Sequence, residues 1–136
     1  MDKNDKETYV SFKTARLLKE NGFELKIPTY YCCYCDDYDD YAEHSVIEYK
    51  AENYNSHKLH ISAPTQQMAC DWVEKTYGFF IEISRSIDLN GNYHYLYMIL
   101  DKGCKYASSY DTKDNDYSSK SDAVDAALEF VLTKLI

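Results

Sequence analysis

The chain has 136 residues, of which 45% are hydrophobic and 28% charged. That is enough for one ordinary globular domain, and its composition excludes wholesale disorder. Fifteen basic against 23 acidic residues leave a net charge of −8. Phosphate backbones and anionic membranes are bound by clustered Lys and Arg, so this balance argues against both as partners.

The start, MDKNDKETYV, has no apolar stretch behind its charges. No apolar run approaches the roughly 20 residues of a membrane span. A signal peptide and a membrane span are therefore not expected, and the expected compartment is the cytoplasm. The five cysteines (Cys32, Cys33, Cys35, Cys70 and Cys104) are then expected as reduced thiols.

Residues 1–8 are polar and expected to fray. Ser11 is placed as an N-cap, and Phe12, Ala15, Leu17 and Leu18 follow at helical spacing. Asn21-Gly22 ends that helix, with Gly22 as its left-handed cap and Phe23 as the apolar contact after it. Pro28 interrupts the alternation that follows, which predicts an edge strand or a lead-in. Tyr30–Cys35 reads as a strand and His44–Lys50 as its return, joined by the acidic run Asp36 to Asp40. Lys58–Ser62 is a short extended candidate.

Ser62-Ala63-Pro64-Thr65 opens a second helix with a stripe of Met68, Ala69, Trp72, Val73 and Thr76. Tyr77-Gly78-Phe79 ends it as Asn21-Gly22-Phe23 ends the first, a weak internal repeat. Phe79 to Ser84 alternates as a strand. Asn90-Gly91 predicts a type I′ hairpin, returning through Tyr93–Leu100. Lys102-Gly103 predicts another turn, with a third strand over Cys104–Tyr110. Ser121 is the expected cap of the last helix. Its stripe of Val124, Ala127, Leu128, Val131, Leu132 and Leu135 is nearly ideal.

The predicted order is αββαββ(β)α in a single domain. The fold class it implies is α+β, one antiparallel sheet of four to five strands with about three helices on one face. In the strand after Asn90-Gly91, Tyr93, Tyr95 and Tyr97 share one face with Ile99. His94, Leu96, Met98 and Leu100 share the other, which is more apolar and is expected to take the helices. The three tyrosines are then the expected binding face, suited to anchoring a protein partner or a second copy of the chain.

Cys32-x-x-Cys35 and His57-x-x-His60 supply four candidate zinc ligands, thiolate and imidazole. Against them, a regular strand points Cys32 and Cys35 to opposite faces. A thioredoxin-type role for the same C-x-x-C lacks the helix that should follow it. The acidic run from Asp36 lacks the ligand order of an EF-hand. No nucleophile elbow, phosphate-binding glycine loop or zinc-protease motif occurs, so no enzyme and no cofactor are expected.

The segments Ser11-Phe12-Lys13-Thr14-Ala15, Leu18 to Phe23, Ser62-Ala63-Pro64-Thr65-Gln66, Trp72-Val73-Glu74 and Ala123 to Leu135 resemble an uncharacterised family of small proteins encoded by phages and prophages of gut bacteria. The resemblance spans most of the chain and is thinnest over Tyr30 to Lys58. It implies a phage-related accessory protein in a bacterial cytoplasm, and it carries no functional residue with it. The function expected is therefore non-enzymatic binding of a protein partner. An acidic mimic of nucleic acid is one form of that reading. A small-ligand or nucleotide-sequestering protein is the alternative, with tyrosines stacking a base, and a zinc-stabilised domain is the second alternative.

Overall fold

The computed structural model describes residues 8–32, 45–107 and 115–136. The described residues form an α+β fold with eight main elements, and the chain divides into two compact units, residues 1–65 and 66–136. No described helix is long and apolar enough to cross a membrane.

The first unit begins with α1, Phe12–Glu20. Ser11 caps it as expected, its hydroxyl accepting from the Thr14 amide at 3.2 Å. At the other end Gly22 takes φ +88°. The Phe23 amide then donates to Leu18 O and the Gly22 amide to Lys19 O, which is a Schellman closure. Phe12, Ala15 and Leu18 are buried, as the stripe requires.

Three strands follow: β1 (Ile27–Cys32), β2 (Ile47–Glu52) and β3 (His60–Ser62), in the sheet order β2-β1-β3 with both pairings antiparallel. β1 begins earlier than expected and includes Pro28. It is the central strand, not an edge. Pro28 is tolerated because the β1–β2 register shifts there, between Ile27 and Thr29, so no ladder bond is asked of its missing N–H. Ile27, Thr29 and Tyr31 point to the buried side, where the Tyr31 ring meets Phe12 edge-on at 5.6 Å. A short 3-10 turn, Tyr54–Ser56, lies between β2 and β3.

The second unit begins with α2, Gln66–Tyr77. Ala69 and Val73 are buried, but Met68 is exposed and Trp72 half-buried, so the buried stripe is narrower than expected. Gly78 ends the helix at φ +80°, its amide donating to Glu74 O at 2.8 Å. β4 (Phe80–Ile87) and β5 (Tyr93–Leu100) form an antiparallel hairpin without a bulge. The last helix, α3, is Lys120–Phe130, and one π-helical turn, Val131–Leu135, continues it. Its cap is Ser119, two residues before the expected Ser121, with Asp122 N–H on the Ser119 hydroxyl at 3.1 Å. Val124, Ala127, Leu128, Val131 and Leu132 are buried as the stripe predicts. Each of the valines and leucines contributes about 2 kcal/mol relative to exposure.

The expected single sheet of four to five strands is corrected: among the described residues there are two sheets, of three and two strands. The reason is local. Both edges of β1 are already filled, and β3 is three residues long and runs towards Pro64, which has no N–H for a ladder. Of the expected third strand, Cys104–Tyr110, the described residues form one bridge, Tyr106 with Leu100, and Ser108–Tyr110 lie outside the described residues. A separate bridge joins Tyr117 to Tyr95.

The hairpin turn is also corrected. A type I′ turn needs positive φ at both central residues, and here only Gly91 has it, at +82°. Asp88 closes a longer loop instead. Its backbone pairs with Asn92, and its Oδ1 accepts from the Asn90 and Asn92 amides at 2.8 and 2.9 Å. Asp101 repeats the scheme: Oδ1 accepts from the Gly103 and Lys105 amides at 2.9 and 3.0 Å. There the left-handed position falls on Cys104, at φ +58°, not on the glycine before it.

Candidate functional site

The hairpin of the second unit carries the candidate site. Ile81, Ile83, Arg85 and Ile87 lie opposite Ile99, Tyr97, Tyr95 and Tyr93 respectively, all on one face. α3 packs on that face. Ile99 is fully buried, Tyr97 is 8% exposed, and the Tyr97 ring lies 6.1 Å from Phe130. Burial also raises the Tyr97 hydroxyl pKa, with Tyr117 and Glu129 adding to it. The expectation that the helices cover the His94–Leu100 face is therefore wrong. The tyrosine face is the helix face at its inner end.

Only the outer end of the tyrosine row remains accessible. Tyr95 is half-buried and Tyr93 is 49% exposed, with the Arg85 guanidinium 4.3 Å above its ring. Tyr93 is joined there by two residues that sequence reasoning passed over. Ile87 is its direct cross-strand partner and is 62% exposed; Leu89 in the turn is fully exposed. The signal for Leu89 was an apolar residue inside a turn, where Asp88, Asn90, Gly91 and Asn92 are all polar or small.

A cavity of about 500 Å³ adjoins this tip, lined by Asn92, Tyr93, His94, Tyr95, Asp116 and Ser118. His94 holds two carboxylates. Its Nε2 is 2.8 Å from Asp88 Oδ2 and its Nδ1 2.9 Å from Asp116 Oδ1. The hydrogen bonds to both raise the His94 pKa. The Asp88 pKa falls to about 2, first because of His94 and then because of the turn amides.

The second group of predicted ligands lies in the first unit. His60 is the direct partner of Cys32 across β1 and β3, and the His57 and His60 rings are 5.6 Å apart. His57 is turned to Glu52, at 2.7 Å from Nε2 to Oε1. Tyr30 stacks on Tyr54 at 4.2 Å and meets the His60 ring at a tilt, 4.6 Å away. Among the described residues, His60 Nδ1 and Ser62 Oγ are buried without a hydrogen-bond partner. Lys19 reaches this loop through its ammonium, which donates to the His57 and His60 carbonyls at 3.1 and 2.9 Å. Cys35 and the acidic run of residues 36–40 lie outside the described residues. Among the described residues no three His, Cys, Asp or Glu converge as metal ligands. Cys32, His57 and His60 are thus neighbours in an aromatic cluster.

The remaining described thiols differ in character. Burial, with Asp71 and Asp125 nearby, pushes Cys70 up to about 12, which leaves it unreactive. Cys104 is exposed.

No family model, curated protein or solved structure matches this chain. The functional reading therefore rests on the hairpin tip and its cavity.

Proposed function

We propose that the chain is a phage-related accessory protein of the bacterial cytoplasm that acts without catalysis, by binding a protein partner. The observation that carries this reading is the apolar hairpin tip of Ile87, Leu89 and Tyr93, with Tyr95 and the cavity beside it. Three large apolar side chains held on a tight, hydrogen-bonded turn cost little entropy to present, and such groups serve as anchors in protein interfaces. The binding face is therefore drawn as Tyr93 and Tyr95 with Ile87 and Leu89, and Tyr97 supports it from beneath.

A nucleotide-sequestering role is less well supported. The cavity is lined by Asp116, and both carboxylates on His94 outnumber its single charge. An anionic ligand would meet net repulsion there.

Affinity capture from host lysate tests the reading, with wild type, Leu89→Ser and Tyr49→Ser as baits. Tyr49 is 68% exposed on β2 and serves as the control. One protein retained by wild type and Tyr49→Ser but weakened by Leu89→Ser, by about tenfold or more for an anchor residue, supports the tip. Equal capture by all three baits contradicts it.

A further inference from the structure

The two carboxylates on His94 are held unequally, and this difference gives the cavity a direction of response to pH. A carboxylate only accepts hydrogen bonds, so both ring nitrogens must donate, and only the imidazolium does so. Asp88 has other support: its Oδ1 takes two turn amides while Oδ2 takes His94. Asp116 is 53% exposed, and among the described residues His94 is its one hydrogen-bond partner.

No other described charge competes. Ser86 on β4 faces His94 across the ladder, and Tyr93 and Tyr95 flank it along β5. Arg85 lies on the opposite face, over the Tyr93 ring. Asp88 and Asp116 supply the charges that act on the ring.

We propose that His94 is a pH switch on the charge of this cavity: on losing its proton it keeps Nε2–H on Asp88 and releases Asp116 as an unpaired carboxylate. One proton leaves Nδ1 for solvent. The three groups together pass from a net charge of −1 to −2. The neutral ring must choose one donor nitrogen. Keeping Nε2–H preserves the bond to a carboxylate already fixed by the turn, while the Nδ1 lone pair then faces Asp116 Oδ1 and repels it. Asn115 and Tyr117 remain tied to β5 by their own hydrogen bonds, so the Asp116 side chain moves and the segment does not. The raised His94 pKa places the change above the ~6.5 of a free imidazole. The switch is a property of this chain alone and does not depend on any partner.

Imidazole nitrogen NMR across a pH titration of the whole chain tests it, with the His94 signals assigned by their loss in His94→Gln. Above the midpoint the proposal expects a protonated Nε2 and a bare Nδ1. It expects Asp116→Asn to lower the His94 midpoint by about one pH unit. Asp116→Asn is an exposed, nearly isosteric change, so folding is not at issue. A neutral ring that carries its hydrogen on Nδ1, or a midpoint unmoved by Asp116→Asn, overturns the proposal.

Discussion

The side-chain amide of Asn115 closes two hydrogen bonds on the backbone of Tyr97. Tyr97 N–H donates to Asn115 Oδ1 at 2.9 Å, and Asn115 Nδ2 donates to Tyr97 O at 2.8 Å. Asn115 is 5% exposed and thus stands in for a neighbouring strand at the outer edge of β5. Asn115→Ala leaves both backbone groups buried and unpaired, and should cost about 2 kcal/mol. Asn115→Asp restores the acceptor but sets a carboxylate against Tyr97 O, so it should be no better. Urea unfolding of the three chains, read as a shift in midpoint at constant slope, checks this.

The Asp88 and Asp101 turns predict opposite outcomes at their left-handed positions. Gly91→Ala puts a Cβ at φ +82° and should destabilise by about 1 kcal/mol. Cys104→Gly removes one at φ +58° and should be neutral to stabilising, by up to about 1 kcal/mol. Thermal midpoints that move the same way in both variants would show that the two turns are not equivalent.

Gly22 and Gly78 both cap helices at positive φ, but their surroundings differ. A Cβ at Gly22 meets nothing within 4 Å, whereas one at Gly78 would lie 2.2 Å from Lys102 Cε and 2.5 Å from its Cγ. Gly78→Ala should therefore cost more than Gly22→Ala, which carries the backbone penalty alone, about 1 kcal/mol. Adding Lys102→Ala to Gly78→Ala should return the cost to the Gly22 level. Denaturation of the three variants beside wild type decides it.

Stability should depend on pH at both ends through the Asp88–His94 pair. The Asp88 pKa is lowered in the folded chain, to about 2. Its contribution is present above the unfolded value of ~3.9 and lost as pH falls through the folded one. The His94 pKa is raised. Its contribution is present below the unfolded ~6.5 and lost as pH rises through the folded value. Wild type should thus gain most over His94→Gln between roughly pH 4 and 6.5, with the gap closing on either side. Thermal melts of both chains across that range check it.

Much of the helical structure was legible in the sequence, because each helix carries its own evidence. Ser11, the Phe12–Ala15–Leu18 stripe and Asn21-Gly22 are a start, a face and a stop within a dozen residues. The hairpin was legible in existence but not in register. A two-residue loop at Asn90-Gly91 would set Leu89 opposite Asn92 and Ile83 opposite Met98. The Asp88 side chain instead stabilises a loop one residue longer, and Ile83 lies opposite Tyr97. That one-residue difference moves the β4 isoleucines onto the tyrosine face and makes it the face that α3 covers. The same misreading hid the site. With Tyr97 inside, the exposed anchors are Tyr93 and its partner Ile87. The Asp88–His94–Asp116 arrangement joins three segments, and no local pattern announces it.

Photo-crosslinking at the hairpin tip tests the central claim most directly. A photoreactive amino acid replaces Leu89 in one chain and Tyr49 in another, and both are irradiated in host cells. The account predicts a discrete adduct from position 89 that is absent from position 49, its mass identifying a host protein, a phage protein or a second copy of the chain. No adduct from position 89, or the same adducts from both positions, would contradict the claim that this tip is where the protein binds.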